Sequence, residues 1–531
     1  MEPRIVWPAP GLPALLAAGE RQVQLLVSCE NQSLTEVRAW ARQLTLGARD
    51  LAALPLAADR VEAFGADDSC PWVDAFMRLP EAAGRSYVRI TCRIPAMAGP
   101  RPPRTVRVLD IRLGDRVLRR NAIAVTAPGR DQLSLIFASD MHVAAIWDDL
   151  AAAVERHALE LAPAFLHPGR QLEALVADAN ALARRGDLDL VVFGGDLIDH
   201  VHEHSRNAPP PTSLRTNYDR FLGIVGELEV PMLTLPGNHD FRLFPWRPRL
   251  HNLIEVGLPQ DRVRAVLRRA GLWDRWPVRV SDRDLLRTEE SGGRPALAHY
   301  LTHVAPATDY SIDMRGLRLV FVSTGRDVLP RWREVDAGRR GLLWRSLPTS
   351  RHDPDCEGLH EEQVAHVGDG LAGMHRGAAV FMHAPLLHDR AAARLDGRLQ
   401  RLDPGDRDDH AARVAFERRL HATGLRCGVF FRNPGPLVRA LATVAAPVVV
   451  FAGHVHHASA IAFDPASLRV RSTPVTAPRG MQRMVTLLTA PSVGHRRPEE
   501  AAEPGYLFAR FDAGRATVLA ERRVIPGREF A

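Results

Sequence analysis

Short apolar runs that end in clusters of Asp, His, Asn and Gly recur along this 531-residue chain, and they restrict its fold more than any other feature. Residues 133–138 read as a buried-type strand running into Ser139-Asp140-Met141-His142. Residues 188–193 run into Gly194-Gly195-Asp196-Leu197-Ile198-Asp199, and residues 231–235 into Gly237-Asn238-His239-Asp240. Between them, Leu172, Leu175, Val176 and Leu182 fall at helical spacing, and residues 218–228 read as a second helix. Such strand–helix steps place the polar residues at the strand ends along one sheet edge, where open α/β sheets collect ligand sites. The strand pattern resumes at 317–323. Residues 378–381 then lead to Met382-His383-Ala384-Pro385, and residues 447–451 to Gly453-His454-Val455-His456.

The flanks of this pattern have a different texture. Over the first ~128 residues, short aliphatic and β-branched segments at 23–27, 87–94, 105–113 and 122–126 are separated by Pro, Gly and Asp. They predict a small β-sandwich, immunoglobulin-like, with one helical interruption at 33–44. Ala127-Pro128-Gly129-Arg130 reads as a linker, giving a domain of residues 1–128 and a second of 129–531. The first contains no His, and its acids lack ligand spacing, so a chain starting near Asp131 is expected to keep the site. Residues 241–308 read as a helical insertion, best defined at 262–272, with a polar loop. Residues 484–524 alternate strand and turn signals.

Composition narrows the function classes. The formal charge is +7 and the pI about 9.7, but all 69 basic residues are Arg, interspersed with 62 acids. Without a run of five like charges, this is a mixed solvated surface rather than a polyanion track. Five Cys and no C-x-x-C argue against a disulfide framework or a thiolate zinc site, and buried free thiols are expected. Cys29 and Cys92, each in or beside a strand-like run, are the pair that would join if the protein were exported. No basic start precedes an apolar stretch at the N-terminus, and no window reaches 18 apolar residues. A cytoplasmic protein without a membrane span is expected.

The polar strand ends offer carboxylate, carboxamide and imidazole, ligand types that suit Mn, Fe or Zn. Alone, D-x-H or H-x-P is a common accident, and a single buried His is usually structural. Together and in order, D-x-H, G-D-x-x-D, G-N-H-D, H-x-P and G-H-x-H resemble the calcineurin-like metallophosphoesterase superfamily, over roughly residues 133–525. The resemblance implies an α+β fold, a four-layer α/β/β/α sandwich of two mixed sheets with helices outside. It implies two metal ions, one held by Asp140, His142 and His456 and the other by Asn238, His383 and His454. Asp196 would bridge them, offsetting part of their repulsion at the roughly 3.5–4 Å separation a phosphoryl clamp needs. The single residue between His454 and His456 puts both imidazoles on one side of an extended segment. The glycines at 195, 237 and 453 are expected to turn the backbone sharply.

His239 is assigned by the resemblance to protonating the leaving group, with Asp199 orienting it; packing beneath the site is the bland alternative. Asp240 would either serve the site or anchor the loop by accepting backbone N–H bonds. The family's protein serine/threonine phosphatases continue G-D-x-x-D with Arg-Gly. Here His200-Val201-His202-Glu203-His204 follows, which speaks against a narrow protein-phosphatase reading. His200 and its neighbours form either a solvated loop or a phosphate or metal contact, and Arg242 is the leading candidate to grip phosphate. The implied activity is hydrolysis of a phosphomonoester or phosphodiester by metal-activated water, the substrate being a small molecule. Two alternatives are a nuclease, which needs an Arg-lined groove beside the metals, and a non-catalytic binding protein on the same fold.

Overall fold

The computed structural model describes residues 2–200, 217–241, 260–270, 294–324, 359–372, 377–389, 400–401, 425–426, 434–464, 469–472, 485–494 and 503–525, apart from short breaks within the longer stretches. The N-terminal part contains β1 (Arg4–Trp7), β2 (Ala14–Leu16), β3 (Gln22–Cys29), β4 (Leu44–Ala48), β5 (Leu51–Pro55), β6 (Ala57–Phe64), β7 (Ser86–Arg93), β8 (Val106–Leu113) and β9 (Arg116–Thr126). They form two sheets, ordered β1-β3-β7-β6 and β2-β9-β8-β4-β5. Alternate side chains point inward, so Leu25 and Ile90 of one sheet and Leu46, Ile111 and Ile123 of the other share one core. Helix Leu34–Ala41 is started by a capping box between Ser33 and Glu36. Cys29 and Cys92 are buried free thiols. In the β3–β7 ladder Cys29 pairs with Ser86 and Cys92 with Val23, at opposite ends of the two strands, so they cannot join. Cys356 and Cys427 lie outside the described residues.

The rest of the chain supplies β10 (Gln132–Ala138), β11 (Leu190–Gly194), β12 (Met232–Leu235), β13 (Tyr310–Met314), β14 (Leu317–Val322), β15 (Ala378–Met382), β16 (His388–Asp389), β17 (Gln400–Arg401), β18 (Leu425–Arg426), β19 (Val448–Ala452), β20 (Ser459–Asp464), β21 (Arg469–Ser472), β22 (Val485–Thr489), β23 (Gly505–Asp512) and β24 (Thr517–Val524). One sheet runs β12-β11-β10-β23-β24, the other β13-β14-β15-β19-β22-β20-β21-β17, and β16 pairs with β18. β10, β11 and β12 are parallel, as are β14, β15, β19 and β22; antiparallel strands complete both sheets. The fold is therefore mixed α/β.

An aromatic ladder joins the two sheets. Tyr310 stacks on Phe321 at 4.5 Å between ring centroids, Phe321 on Phe381 at 4.7 Å, and Phe381 on Phe451 at 5.1 Å. Phe137 of the first sheet meets Phe451 at 5.3 Å. Helices Pro168–Arg185 and Asn217–Val225 pack with the first sheet, and helices Glu361–Leu371 and Pro434–Ala442 cover the second. Pro at the first turn and left-handed Gly186 at the end bound helix Pro168–Arg185. Of the stretch read as a helical insertion, helices Gln260–Arg269 and Arg294–His303 are described, and the remainder lies outside the described residues. Among the described residues no helix is long and apolar enough to cross a membrane.

The N-terminal sheets are packed against the second part. Val6, Leu12, Leu26, Phe64, Phe76 and Tyr87 belong to the same apolar cluster as β10, β11 and β12. Thr105 Oγ1 donates to Asp189 Oδ1 at 2.5 Å, and Arg315 Nη2 reaches the same oxygen at 2.9 Å. Glu229 pairs with Arg104 at 2.6 Å, and Asn121 Nδ2 donates to the Leu228 carbonyl at 3.1 Å.

Candidate metal centre

The C-terminal ends of β10, β11, β12, β15 and β19 converge, carrying their five polar motifs to one place. Five of the side chains gathered there sit on left-handed backbone: Asp140 (φ 59°), His142 (49°), Asp196 (52°), His454 (65°) and His456 (61°). For residues with a Cβ this conformation costs roughly 1–3 kcal/mol each, and it persists only where surrounding structure imposes it. Here the imposition is a set of backbone bonds between loops. The Asp140 amide donates to the Gly195 carbonyl and the His142 amide to the Asp196 carbonyl, both at 3.0 Å. Ser139 Oγ donates to the Gly194 carbonyl at 3.1 Å.

The glycines fall where the sequence places them, but two of the three serve a different purpose. Only Gly195 is left-handed, with φ 94°. At Gly237 an added Cβ would collide with the amide and Oδ1 of Asp196 and lie 2.8 Å from His383 Cε1. At Gly453 it would collide with Ser139 Oγ. Close approach of loops, rather than sharp turning, demands glycine at these two positions.

Both central carboxylates are tied to the scaffold by a backbone amide and also face the imidazoles. Asp140 accepts from the His454 amide at 2.9 Å through Oδ2, and the same amide lies 3.2 Å from Oδ1 as well. Oδ1 also lies 3.2 Å from His456 Nε2. Asp196 accepts from the His239 amide at 2.7 Å through Oδ1, while Oδ2 lies 3.3 Å from His383 Nε2 and 3.8 Å from His142 Nε2. Asp196 Oδ2 thus stands between two groups of donors. On one side His142 Nε2 and His456 Nε2 face each other at 3.4 Å. On the other, Asn238 Oδ1 is 3.1 Å from both His383 Nε2 and His454 Nδ1, which are themselves 3.3 Å apart. His383 Nδ1 lies 2.8 Å from the Gly194 carbonyl, which orients its ring and directs Nε2 inward.

These spacings fit cations. Donors about 2.1 Å from one ion lie roughly 3.0 Å apart in octahedral and roughly 3.4 Å apart in tetrahedral geometry. Nitrogen facing nitrogen at that range needs either a shared proton or an ion between them. Asp140, His142 and His456, and separately Asp196, His383 and His454, present donor atoms that all lie within 4.8 Å of one another. Burial opposes ionisation of Asp196, but the imidazoles of His383 and His239 override it and hold the carboxyl well below its usual range. Burial likewise opposes charge on His383, yet the Asp196 and Asp140 carboxylates raise it to about 9. Burial and the neighbouring His383 push His454 down to about 3.

His239 lies at the open side, its side chain 15% exposed. Its Nδ1 is 3.0 Å from the Asp199 carbonyl and 3.2 Å from Asp199 Oδ1, so Nε2 points away from Asp199. His200 is not solvated: it is buried, with Nδ1 3.3 Å from the other Asp199 oxygen, Oδ2. It stands behind Asp199 rather than in an open loop. Asp240 takes the anchoring role, accepting from the amides of Gly237 at 2.8 Å and Leu197 at 3.2 Å. Burial, with the nearby charge of Asp196, raises its carboxyl to about 7. Arg242, His202 and His204 lie outside the described residues. Ser139 and Tyr218, whose hydroxyl donates to the Asp240 carbonyl at 3.0 Å, are parts of the scaffold that sequence reasoning missed. Neither has a spacing signature, although Ser139 directly precedes the first motif.

Several solved structures are similar to the chain at low identity. A purple acid phosphatase from yellow lupin (Lupinus luteus) seeds is 12% identical, with 99% of this chain and 72% of that chain covered and a TM-score of 0.41. A dimetal phosphatase from Danio rerio is 13% identical, with 74% and 96% covered and a TM-score of 0.37. PhoD is 10% identical, with 95% and 84% covered and a TM-score of 0.39. No curated protein sequence matches the chain significantly. Residues 133–312 match the calcineurin-like phosphoesterase family. That span takes in Asp140, His142, Asp196, Asp199, Asn238 and His239, while His383, His454 and His456 lie beyond it and reach the same centre through the fold. Through this region the chain is similar to the calcineurin-like phosphoesterases, the family its motifs resemble.

Proposed function

We propose that this protein is a dinuclear metal-dependent hydrolase of phosphate esters, a phosphatase or phosphodiesterase acting on a small molecule. The observation that carries the reading is the position of Asp196 Oδ2 between two sets of donors spaced for ligation. Asp140, His142 and His456 would hold one ion, Asn238, His383 and His454 the second, and Asp196 both. Mn, Fe or Zn suits this donor set. When bound, such a pair supplies Lewis acidity toward a phosphoryl oxygen and acidifies water.

The chain's own residues do the rest. Asp199 holds His239 by Nδ1, leaving Nε2 to give a proton to the departing alkoxide. Its carboxyl is kept ionised against burial by His200 and His239, so it remains an acceptor for both rings. We read His200 as a support for Asp199, in place of the substrate contact its sequence position suggests, and Arg242 as the residue that grips phosphate. We further read residues 1–128 as an immunoglobulin-like module. The test is metal analysis combined with a panel of monoesters, diesters, cyclic nucleotides and phospholipid head groups. Two ions per chain and metal-dependent turnover of one class support the proposal. A chain that binds two ions but hydrolyses none of the panel would instead be a binding protein on this fold.

A further inference from the structure

The strand that delivers Gly237-Asn238-His239-Asp240 is held along its outer edge by the N-terminal module. Among the described residues β12 is an edge strand, with no neighbouring strand of its sheet on that side. At Thr234 the partner is Gly11. The Thr234 amide donates to the Gly11 carbonyl at 3.0 Å, Thr234 Oγ1 lies 3.3 Å from the same oxygen, and the Gly11 amide donates to the Val304 carbonyl at 2.9 Å. Thr234 is fully buried; its Oγ1 also meets the Tyr300 hydroxyl at 2.9 Å, and its carbonyl accepts from the Tyr310 hydroxyl at 2.7 Å. A Cβ at Gly11 would collide with Thr234 Oγ1 and lie 3.0 Å from Val304 Cγ1, so the contact is closed to any larger residue.

Four residues after Thr234 comes Asn238, whose Oδ1 sits 3.1 Å from both His383 Nε2 and His454 Nδ1. The intervening Gly237 is so close to Asp196 and His383 that even an added Cβ would collide with them, which leaves little room for a shift of the strand. A displaced β12 therefore moves Asn238 out of register with the two imidazoles. Asp140, His142 and His456 come from β10 and β19 and do not depend on β12.

We propose that the N-terminal module positions the metal centre: through Thr234, Gly11 sets where β12 ends and so how closely Asn238, His383 and His454 surround one cation. This rests on the metal-centre reading above. The experiment is titration of the metal-free, full-length protein with Mn²⁺ by calorimetry, with thermal unfolding of each variant as the check on folding. Gly11→Val and Thr234→Val are expected to weaken one of the two ions by roughly 10–100-fold, the usual loss when support for a metal ligand is removed. The other ion should stay near its wild-type affinity. Arg120→Ala, which breaks the pair with Glu227 elsewhere on the same interface, should leave both unchanged. Thr234→Val, close to isosteric, carries the test if Gly11→Val does not fold. Unchanged binding of both ions in folded Thr234→Val overturns the proposal, and so does equal weakening of both. Asp196→Asn in the same titration separates the two levels. If it binds both ions normally, the metal-centre reading has failed; if it loses metal while Gly11→Val and Thr234→Val do not, only the module's role has failed.

Discussion

At the residue scale, the centre is built from side chains whose backbone is held where a Cβ is unwelcome. Five ligand candidates share left-handed φ, and this strain is a signal that sequence does not display. The identities were legible: carboxylate, amide and imidazole at strand ends announce cation chemistry. Which carboxylate oxygen faces inward was not, because it depends on amides of distant loops, such as His454 on Asp140 and His239 on Asp196. Asp196→Asn keeps the shape and removes the charge between the two donor groups. It should cost at least one of two metals and most turnover, read by elemental analysis and steady-state kinetics; two retained metals with near-normal turnover would sink the bridging role. His239 is not itself a proposed ligand, so in His239→Ala both metals should stay. Substrates with poor leaving groups should slow by roughly 10²–10⁴-fold, and nitrophenyl esters by much less. Equal slowing of both kinds would remove His239 as the proton donor.

At the scale of elements, the strands that carry motifs were readable, because a run of apolar residues buried on both faces needs no periodicity to stand out. Residues 188–193 and 231–235 anticipate β11 and β12 within two residues. Elements without motifs were harder: β1, β4, β5, β6 and the short β20 and β21 carry no comparable signature, and helix Ile146–His157 follows its motif without a side-chain cap. Glycine shows how an element's end is decided by what it meets. Gly237→Ala should weaken metal binding by roughly 10–100-fold, since the new Cβ must displace Asp196 or the His383 ring rather than the tip of a flexible chain. Gly223→Ala, in helix Asn217–Val225 with nothing within 4 Å of the added atom, should instead raise stability by about 0.5–1 kcal/mol. Calorimetric metal titration and thermal unfolding of the pair decide it. Indistinguishable metal affinity in Gly237→Ala would show that the loop has room to move.

At the scale of the whole molecule, the N-terminal sheets and the region that matches the phosphoesterase family share an apolar cluster. Val6, Leu12, Leu26, Phe64, Phe76 and Tyr87 contribute side chains worth roughly 1.5–3 kcal/mol each when fully buried. Their summed loss is on the order of 10 kcal/mol, comparable to the whole stability of a typical domain. A chain beginning near Asp131 also loses Thr105, leaving Asp189 and Arg315 to face water. The sequence expectation that this shorter chain keeps the site meets that shared core. Truncation should lower the unfolding temperature by many degrees or abolish cooperative unfolding, and full-length protein should unfold in one transition. A truncated protein with an unchanged transition and both metals would show that the shared core is dispensable.

By itself the sequence displayed the ligand-type side chains and their order along the chain. Local patterns of apolar run, glycine and ligand-type side chain survive in one dimension, because strand ends and the residues beyond them are neighbours in sequence. The tertiary structure alone brought the candidate donors within reach of one another in separate groups. That grouping rests on contacts such as His142 with His456 and Asn238 with His454, more than 200 residues apart. It alone placed His200 behind Asp199, and Asp240 beneath its loop. It alone showed Gly11 against Thr234, since a backbone bond made by glycine at a sheet edge leaves no mark in a side-chain pattern.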